Sequence, residues 1–337
     1  MYLTKVIIQK NNSMITSAKT STSEMNKVEQ KLSVQQKVFA DDTIAIRSLD
    51  WDRSRFDIEF GLRNGTTYNS FIIKGQKLAI IDTSHAKFEK LWFEQLLREV
   101  NPEEIDYLIT SHTEPDHSGL IGNLLTLNPQ IIVVGSKLAL KFIEDQIHIP
   151  FKSLEVKSGQ YLDLGANPTS GVNHNIEFIS APNLHWPDTI FSYDHGTNVL
   201  YTCDAFGLHY CSDEFFDNDQ KEIYEDFRFY YDCLMGPNAR SVLQAIKRID
   251  KLPRLKTIAV GHGPLLHNQV NFWKEKYSEW SSNKSKGNEF VSVCYISDYG
   301  YCDRLSQAIS HGISKADAQV QLIDLRSSDS QELTGLI

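Results

Sequence analysis

Between residues 111 and 119 the chain reads Ser-His-Thr-Glu-Pro-Asp-His-Ser-Gly, placing His112, Glu114, Asp116 and His117 within six positions. Imidazole nitrogens and carboxylate oxygens are donors that hold divalent transition metals. The cluster directly follows Ile105-Asp106-Tyr107-Leu108-Ile109-Thr110, which reads as the end of a buried strand. Two imidazoles and two carboxylates at the mouth of a strand make a metal cradle. Further donors recur at later strand ends. His185 sits in Asn183-Leu184-His185-Trp186-Pro187-Asp188, Asp204 follows Val199-Leu200-Tyr201-Thr202-Cys203, and His262 lies in Gly261-His262-Gly263-Pro264. Loops at strand ends let a rigid sheet fix ligand geometry.

Counting donors gives two sets. His112, Glu114 and His185 would offer one metal two imidazoles and a carboxylate. Asp116 and His262, with His117 as a further candidate, would offer a second metal the same, leaving Asp204 to bridge. Two histidines and one carboxylate with open positions suit non-haem iron. A bridging carboxylate suits two metals about 3.5–4 Å apart. No cysteine is needed, which points away from structural zinc. His85, His148, His174, His195, His209, His267 and His311 lack comparable neighbours and are given no role.

The elements that must carry these donors follow from hydrophobic patterning. Strands are expected at 78–82, 105–110, 131–134, 176–181, 189–194, 199–203 and 255–260, and helices at 88–100 and 137–146. A hairpin turn is expected at 195–198. A helical region over 220–250 breaks at Gly236-Pro237. In the helix at 271–281, Phe272, Trp273, Tyr277 and Trp280 share one packing face. The polar stretch 282–289 reads as a linker. A strand at 290–296, a loop, a helix at 302–315 and a strand at 319–324 then form one β-α-β unit. One such unit cannot close a doubly wound sheet, so the chain is expected to be cut inside a second domain. Residues 1–38 are polar and read as a disordered extension. Their apolar patch Val6-Ile7-Ile8 is too short for a signal-peptide core, and Met14 and Met25 leave an internal start open.

At 337 residues the chain has room for about two domains. A net charge of -9 excludes a general nucleic-acid binder, and no run of apolar residues is long enough to span a membrane. The five cysteines are scattered and form no C-x-x-C pair, which fits a reducing cytoplasm better than a disulfide framework.

The spacing His112-x-Glu114-x-Asp116-His117, then His185, Asp204 and His262, resembles the metallo-β-lactamase-like core of flavodiiron proteins. So do Leu184-His185-Trp186-Pro187-Asp188-Thr189 and Cys203-Asp204-Ala205-Phe206-Gly207. Hydrolases of the same superfamily usually carry His where this chain has Glu114. The resemblance implies an α/β fold: an αββα sandwich over 43–281 with two Fe ions at one edge between the sheets. It implies a flavodoxin-like, doubly wound FMN-binding domain next, begun here by 290–337. Ser297, Asp298, Tyr299, Gly300, Tyr301 and Cys302 would form its phosphate loop, with Cys302 where the family usually has Ser or Thr. Tyr299-Gly300-Tyr301-Cys302-Asp303-Arg304 is most similar to the cyanobacterial diflavin members, which carry a further flavin-reductase domain. The implied activity is reduction of O2 to water at a diiron centre, with electrons passed through FMN from NAD(P)H or a redox protein. Nitric oxide is the alternative substrate, and a zinc hydrolase is the rival reading. A head-to-tail homodimer, or a hetero-oligomer with a paralogue, would set the flavin of one subunit against the metals of the other. His117 corresponds to a position that water sometimes displaces. Trp186, Phe206, Tyr210 and Phe215 are candidates for a dry wall against the flavin, with core packing the alternative for each.

Overall fold

The computed structural model describes residues 31–56, 60–284, 290–315 and 318–326. The first half comprises β1 (Leu32–Ala40), β2 (Thr43–Asp50), a ribbon of β3 (Arg55–Phe56) and β4 (Phe60–Gly61), β5 (Thr66–Lys74), β6 (Leu78–Ile81) and α1 (Glu89–Glu99). It continues through β7 (Ile105–Ile109), α2 (Pro115–Ser118), α3 (Ile121–Leu127), β8 (Ile132–Gly135), α4 (Lys137–Ile147) and β9 (Lys152–Glu155). The second half holds β10 (Tyr161–Ala166), β11 (Asn173–Ser180), β12 (Ile190–Asp194), β13 (Val199–Cys203), α5 (Gln220–Tyr230), α6 (Ala239–Ile249), β14 (Thr257–Val260) and α7 (Val270–Lys284). Last come β15 (Phe290–Tyr295), α8 (Tyr301–Lys315) and β16 (Gln319–Asp324).

Two main sheets result, ordered β1-β2-β5-β6-β7-β8-β9 and β10-β11-β12-β13-β14. Side chains alternate across a strand, so each strand supplies two cores. On the first sheet Ala45, Phe71, Ile73, Ala79, Ile81, Ile109 and Val134 face the second sheet and join the core that continues beneath α5, α6 and α7. Their neighbours Ile44, Ile46, Ile72, Ile80, Leu108 and Val133 face the other way, onto α1, α3 and α4. That alternation produces an αββα sandwich in which the central strands are apolar on both faces. Each fully buried Leu, Ile or Phe contributes roughly 1.5–3 kcal/mol.

The sequence-based boundaries need two corrections. The expected extension through residue 38 ends earlier, because Leu32–Ala40 pairs antiparallel with β2 as an edge strand. An edge strand is solvated on part of its surface, so its Gln35, Gln36 and Lys37 hid the apolar Leu32, Val34 and Phe39 that pack inward. The expected linker at 282–289 also starts late, since α7 runs to Lys284; residues 285–289 lie outside the described residues. So do Val6-Ile7-Ile8 with the rest of 1–30, and residues 327–337. The break at Gly236-Pro237 appears as a π turn at Tyr231–Met235 and a 3-10 turn at Gly236–Asn238 between α5 and α6. The four aromatics of α7 do pack: Trp273, Tyr277 and Trp280 are buried in the core and Phe272 lies against it.

Strands β15 and β16 pair in parallel from Phe290–Gln319 to Tyr295–Asp324, with α8 as the crossover. Among the described residues no helix is long and apolar enough to cross a membrane.

Candidate metal centre

The donors converge at one end of the sandwich, where several strands of both sheets finish. β7 leads into His112, and α2 begins just after Glu114 and carries Asp116 and His117. His185 lies on the loop between β11 and β12, Asp204 follows β13, and His262 follows β14. Two groups form, each with its ligand atoms within 4.8 Å of one another: His112, Glu114, His185 and Asp204, and then Asp116, His117 and His262; a third, overlapping group joins Cys203 to His117 and Asp204.

Asp204 stands between them. Its Oδ2 lies 3.1 Å from His112 Nε2 and 3.2 Å from His185 Nε2. Its Oδ1 lies 2.9 Å from His117 Nε2 and 3.2 Å from His262 Nε2. Glu114 Oε2 is 3.2 Å from His112 Nε2 and 3.0 Å from His185 Nε2. Asp116 completes the other side, 3.5 Å from His117 Nε2 and 3.4 Å from His262 Nε2. His117, the ligand held apart from the rest by sequence reasoning, lies as close to Asp204 as any other imidazole.

Several of these contacts are short without being hydrogen bonds. Both Asp116 carboxylate oxygens, Asp204 Oδ2 and His262 Nε2 are buried and have no hydrogen-bond partner. Leaving such atoms unpaired costs about 1–3 kcal/mol each. The ring tautomers sharpen the point. His262 Nδ1 lies 2.6 Å from the Thr67 carbonyl, and a carbonyl only accepts, so Nδ1 carries the proton. In the neutral ring Nε2 then presents a lone pair to two carboxylates. His112 Nδ1 likewise faces the Asp188 carboxylate at 3.4 Å. Lone pairs aimed at anions repel unless a proton or a metal cation lies between them, and inward-facing nitrogens and carboxylates that can exchange protons for metal fit a pair of metal ions. The chemistry is nitrogen and oxygen with no sulfur within the two groups. Cys203 is buried beside them, and in the metal-free cluster burial pushes its thiol well above the ordinary value.

The surrounding fold fixes each ligand. Asn69 on β5 donates from Nδ2 to the Val260 and Gly263 carbonyls, both at 2.9 Å, and so holds the His262 turn. Gly261 admits no side chain, because a Cβ there would stand 2.7 Å from His117 Cε1. Thr83 donates to the His117 carbonyl from its amide at 2.7 Å and its hydroxyl at 2.6 Å. The Leu184–His185 peptide is cis.

Charge in the metal-free cluster is shared between acids and imidazoles. Burial works against protonated His117 and His185, but Asp116 and Asp204 around the first and Glu114 and Asp204 around the second more than reverse it. Their values rise to about 9 and about 10. Glu114 and Asp204 are held well below the carboxylate range by the imidazoles despite burial. Asp116 is pushed up by burial and by the two neighbouring acids. His112 is raised as well, against its burial, by Asp188 and Asp204, so three imidazoles protonated at pH 7 must lose protons to bind metal. Metal uptake at pH 7 is expected to release about three protons per chain, and apparent affinity to climb with pH up to about 9–10. Adding cobalt(II) to weakly buffered apoprotein in a pH-stat measures this directly; uptake without acid release would contradict it. The sign for folding follows. The raised values add stability to the metal-free chain below about pH 6.5, and that share is lost as pH rises through about 9–10.

Several neighbours of the donors were given no role from the sequence, Asp188 among them although it stands in the Leu184–Thr189 stretch. Asp188 accepts from Thr113 N at 2.9 Å and Thr113 Oγ1 at 2.7 Å while facing His112. Asp82 accepts from Ser111 N at 2.8 Å, and burial raises its carboxyl to about 6. His209 is buried with its ring 4.7 Å from that of His262 and Nδ1 2.8 Å from Thr66 Oγ1. Burial, with His262 second, holds it well below the ordinary imidazole value. Its one sequence signal was proximity: it stands two residues after the Cys203–Gly207 stretch. Of the expected aromatic wall, Trp186 meets His112 edge-on at 5.0 Å. Phe206 instead stacks on Tyr277, Phe215 packs in the core, and Tyr210 bonds to Glu222.

In the C-terminal unit Ser297, Asp298, Tyr299 and Gly300 fill the turn before α8, which opens with Tyr301 and Cys302. Gly300 takes φ +79°, a left-handed conformation suited to glycine. Ser297 Oγ is buried without a partner, and Asp298 pairs with Arg326 at 2.5 Å.

Known proteins are similar to this chain in sequence and fold. Residues 66–263 match the family described as ODP family beta lactamase. The chain is 57% identical over 312 residues to putative diflavin flavoprotein A 3 of Nostoc sp., covering 92% of this chain and 53% of that protein. It is 54% identical over 309 residues to diflavin flavoprotein A 1 of Synechocystis sp., with 92% and 53% covered. The chain thus spans about half the length of the curated relatives it matches. Among solved structures, the metal-soaked Flv1 flavodiiron core from Synechocystis sp. superposes with a TM-score of 0.77 at 32% identity, covering 90% of this chain and 74% of that one. On its site, its fold and these likenesses, the chain belongs to the flavodiiron protein family and is similar to the cyanobacterial diflavin flavoproteins.

Proposed function

We propose that the chain is the catalytic core of an oxidoreductase that reduces O2 to water at a diiron centre, with electrons passed through FMN. The observation carrying this reading is Asp204, whose two oxygens each face one imidazole pair. His112, Glu114 and His185 would hold one iron, Asp116, His117 and His262 the other, and Asp204 would bridge. Two ferrous ions there would supply two electrons and open positions, and reduced FMN two more, matching the four electrons that turn one O2 into two waters, with the four protons drawn from the reduced flavin and solvent.

The chain's own residues do the positioning. Thr67 and Asp188 fix the rings of His262 and His112 so that Nε2 points inward. Leu184, next to His185, and Leu208, four residues after Asp204, are buried and help to keep bulk water out. Ser297 and the first amides of α8 would hold the flavin phosphate, since a helix N-terminus favours anions. In the full-length relative-like protein, NAD(P)H or a redox protein would supply the electrons, and a second subunit would bring the flavin to the metals.

The test is anaerobic reconstitution with ferrous iron and FMN, followed by iron counting and oxygen uptake with an artificial reductant. About two iron per chain and oxygen consumption are expected. Nitric oxide turnover in place of oxygen uptake would move the substrate assignment. Zinc in the purified protein with ester or thioester hydrolysis would overturn the oxidoreductase reading.

A further inference from the structure

The loop that presents His185 also touches the C-terminal unit. Asn183 is buried, takes φ +65°, and its amide N–H bonds to the Trp186 carbonyl at 2.8 Å. That closes a tight loop around His185. Its side chain points the other way, and Nδ2 donates to the Leu322 carbonyl of β16 at 2.9 Å. Among the described residues β16 pairs with β15 alone, so Asn183 adds a side-chain bond to a strand at the edge of its sheet. The rest of the seam is weakly satisfied. Gln321 of β16 is 2% exposed, yet among the described residues neither its Nε2 nor its Oε1 has a partner, and Ser241 Oγ nearby on α6 has none either. Asn183 therefore joins two things through one residue: the pose of β16 and the pose of the His185 loop.

We propose that Asn183 is a positioning residue that couples the docking of the C-terminal β-α-β unit to the placement of His185, and so tunes the metal position on the His112 side. This rests on the diiron reading above. A shift of β16 away from the core would pull on Asn183. The loop would follow, and His185 Nε2 would leave its place 3.0 Å from Glu114 and 3.2 Å from Asp204. The His117 and His262 side has no such link through Asn183.

Asn183→Gly isolates the coupling. Glycine adopts φ +65° without a Cβ penalty, so the loop keeps its path while the bond to Leu322 is lost. Asn183→Asp also tolerates the left-handed conformation but has no donor for the carbonyl. The experiment is cobalt(II) titration read by visible absorption, with His185→Ala identifying which step uses His185. Wild type is expected to take two ions. In both Asn183 variants the His185 step should weaken about tenfold, with an altered band, while the other step stays unchanged. If wild type takes no pair of ions, the diiron reading fails. If it does and the variants match it in both steps, the coupling is refuted. Equal weakening of both steps with a lower melting temperature would also overturn it, since that is general destabilisation.

Discussion

Asp204→Ala is expected to abolish binding at both metal positions, dropping iron from about two per chain to a small fraction of one after anaerobic reconstitution. The expectation follows from where its oxygens lie. Asp204 is fully buried, with Oδ2 serving His112 and His185 and Oδ1 serving His117 and His262. Removing it leaves four imidazoles sharing two carboxylates, and each metal position loses the one anionic ligand common to both. The turn itself should survive, because its bonds are made by neighbours: Thr202 Oγ1 donates to the Ala205 carbonyl at 2.6 Å, and Gly207 N to the Asp204 carbonyl at 2.8 Å. His117→Ala removes a single nitrogen from one side only and should lose less iron than Asp204→Ala. Asp204→Asn keeps one oxygen and should fall between them. Metal quantitation on the three variants, each checked for folding by circular dichroism, ranks them. Equal iron loss for His117→Ala and Asp204→Ala would refute the bridging assignment.

The cluster was legible because its chemistry is local and repeated. Four donors in six residues do not arise from packing, and His185, Asp204 and His262 each follow a strand that announces itself by an apolar run. What holds those donors was not legible. Asn69, Thr83 and Thr67 are ordinary polar residues in strands or turns, and their roles appear only once β5 meets the His262 turn and Thr83 meets α2. β1 was missed for a related reason. Its inward residues Leu32, Val34 and Phe39 are separated by glutamines and a lysine, and an edge strand needs no clean alternation when much of it faces water. By contrast β6, β7 and β8 are covered on both faces, so their runs of Ile, Leu and Val could be read directly. The Asn183 link had no sequence signal, because its partner is a main-chain carbonyl 139 residues away.

Asp188 shows how far an unassigned residue can control an assigned one. Its Oδ2 accepts two donors from Thr113, at 2.9 Å and 2.7 Å, and its Oδ1 faces His112 Nδ1. The Asp188 carbonyl takes the Ser136 hydroxyl at 2.8 Å, and Ser136 also accepts from Ala139 N at the start of α4. The first sheet's helix layer is thereby tied to the metal end. Asp188→Ala strands the buried Thr113 amide and hydroxyl and frees His112 to turn. It is expected to cost about 2–4 kcal/mol of stability and to weaken metal binding on the His112 side about 10–100-fold. Asp188→Asn separates the two effects. The amide has one oxygen, and two Thr113 donors require it at the Oδ2 position. Its NH2 must then face His112 Nδ1 as a donor, which forces Nδ1 to accept and moves the ring proton to Nε2. A protonated Nε2 cannot ligate, so Asp188→Asn should melt close to wild type while losing nearly as much affinity as Asp188→Ala. Denaturant unfolding alongside metal titration reads both quantities. An asparagine variant that binds two ions as tightly as wild type would show that Asp188 does not set the His112 tautomer.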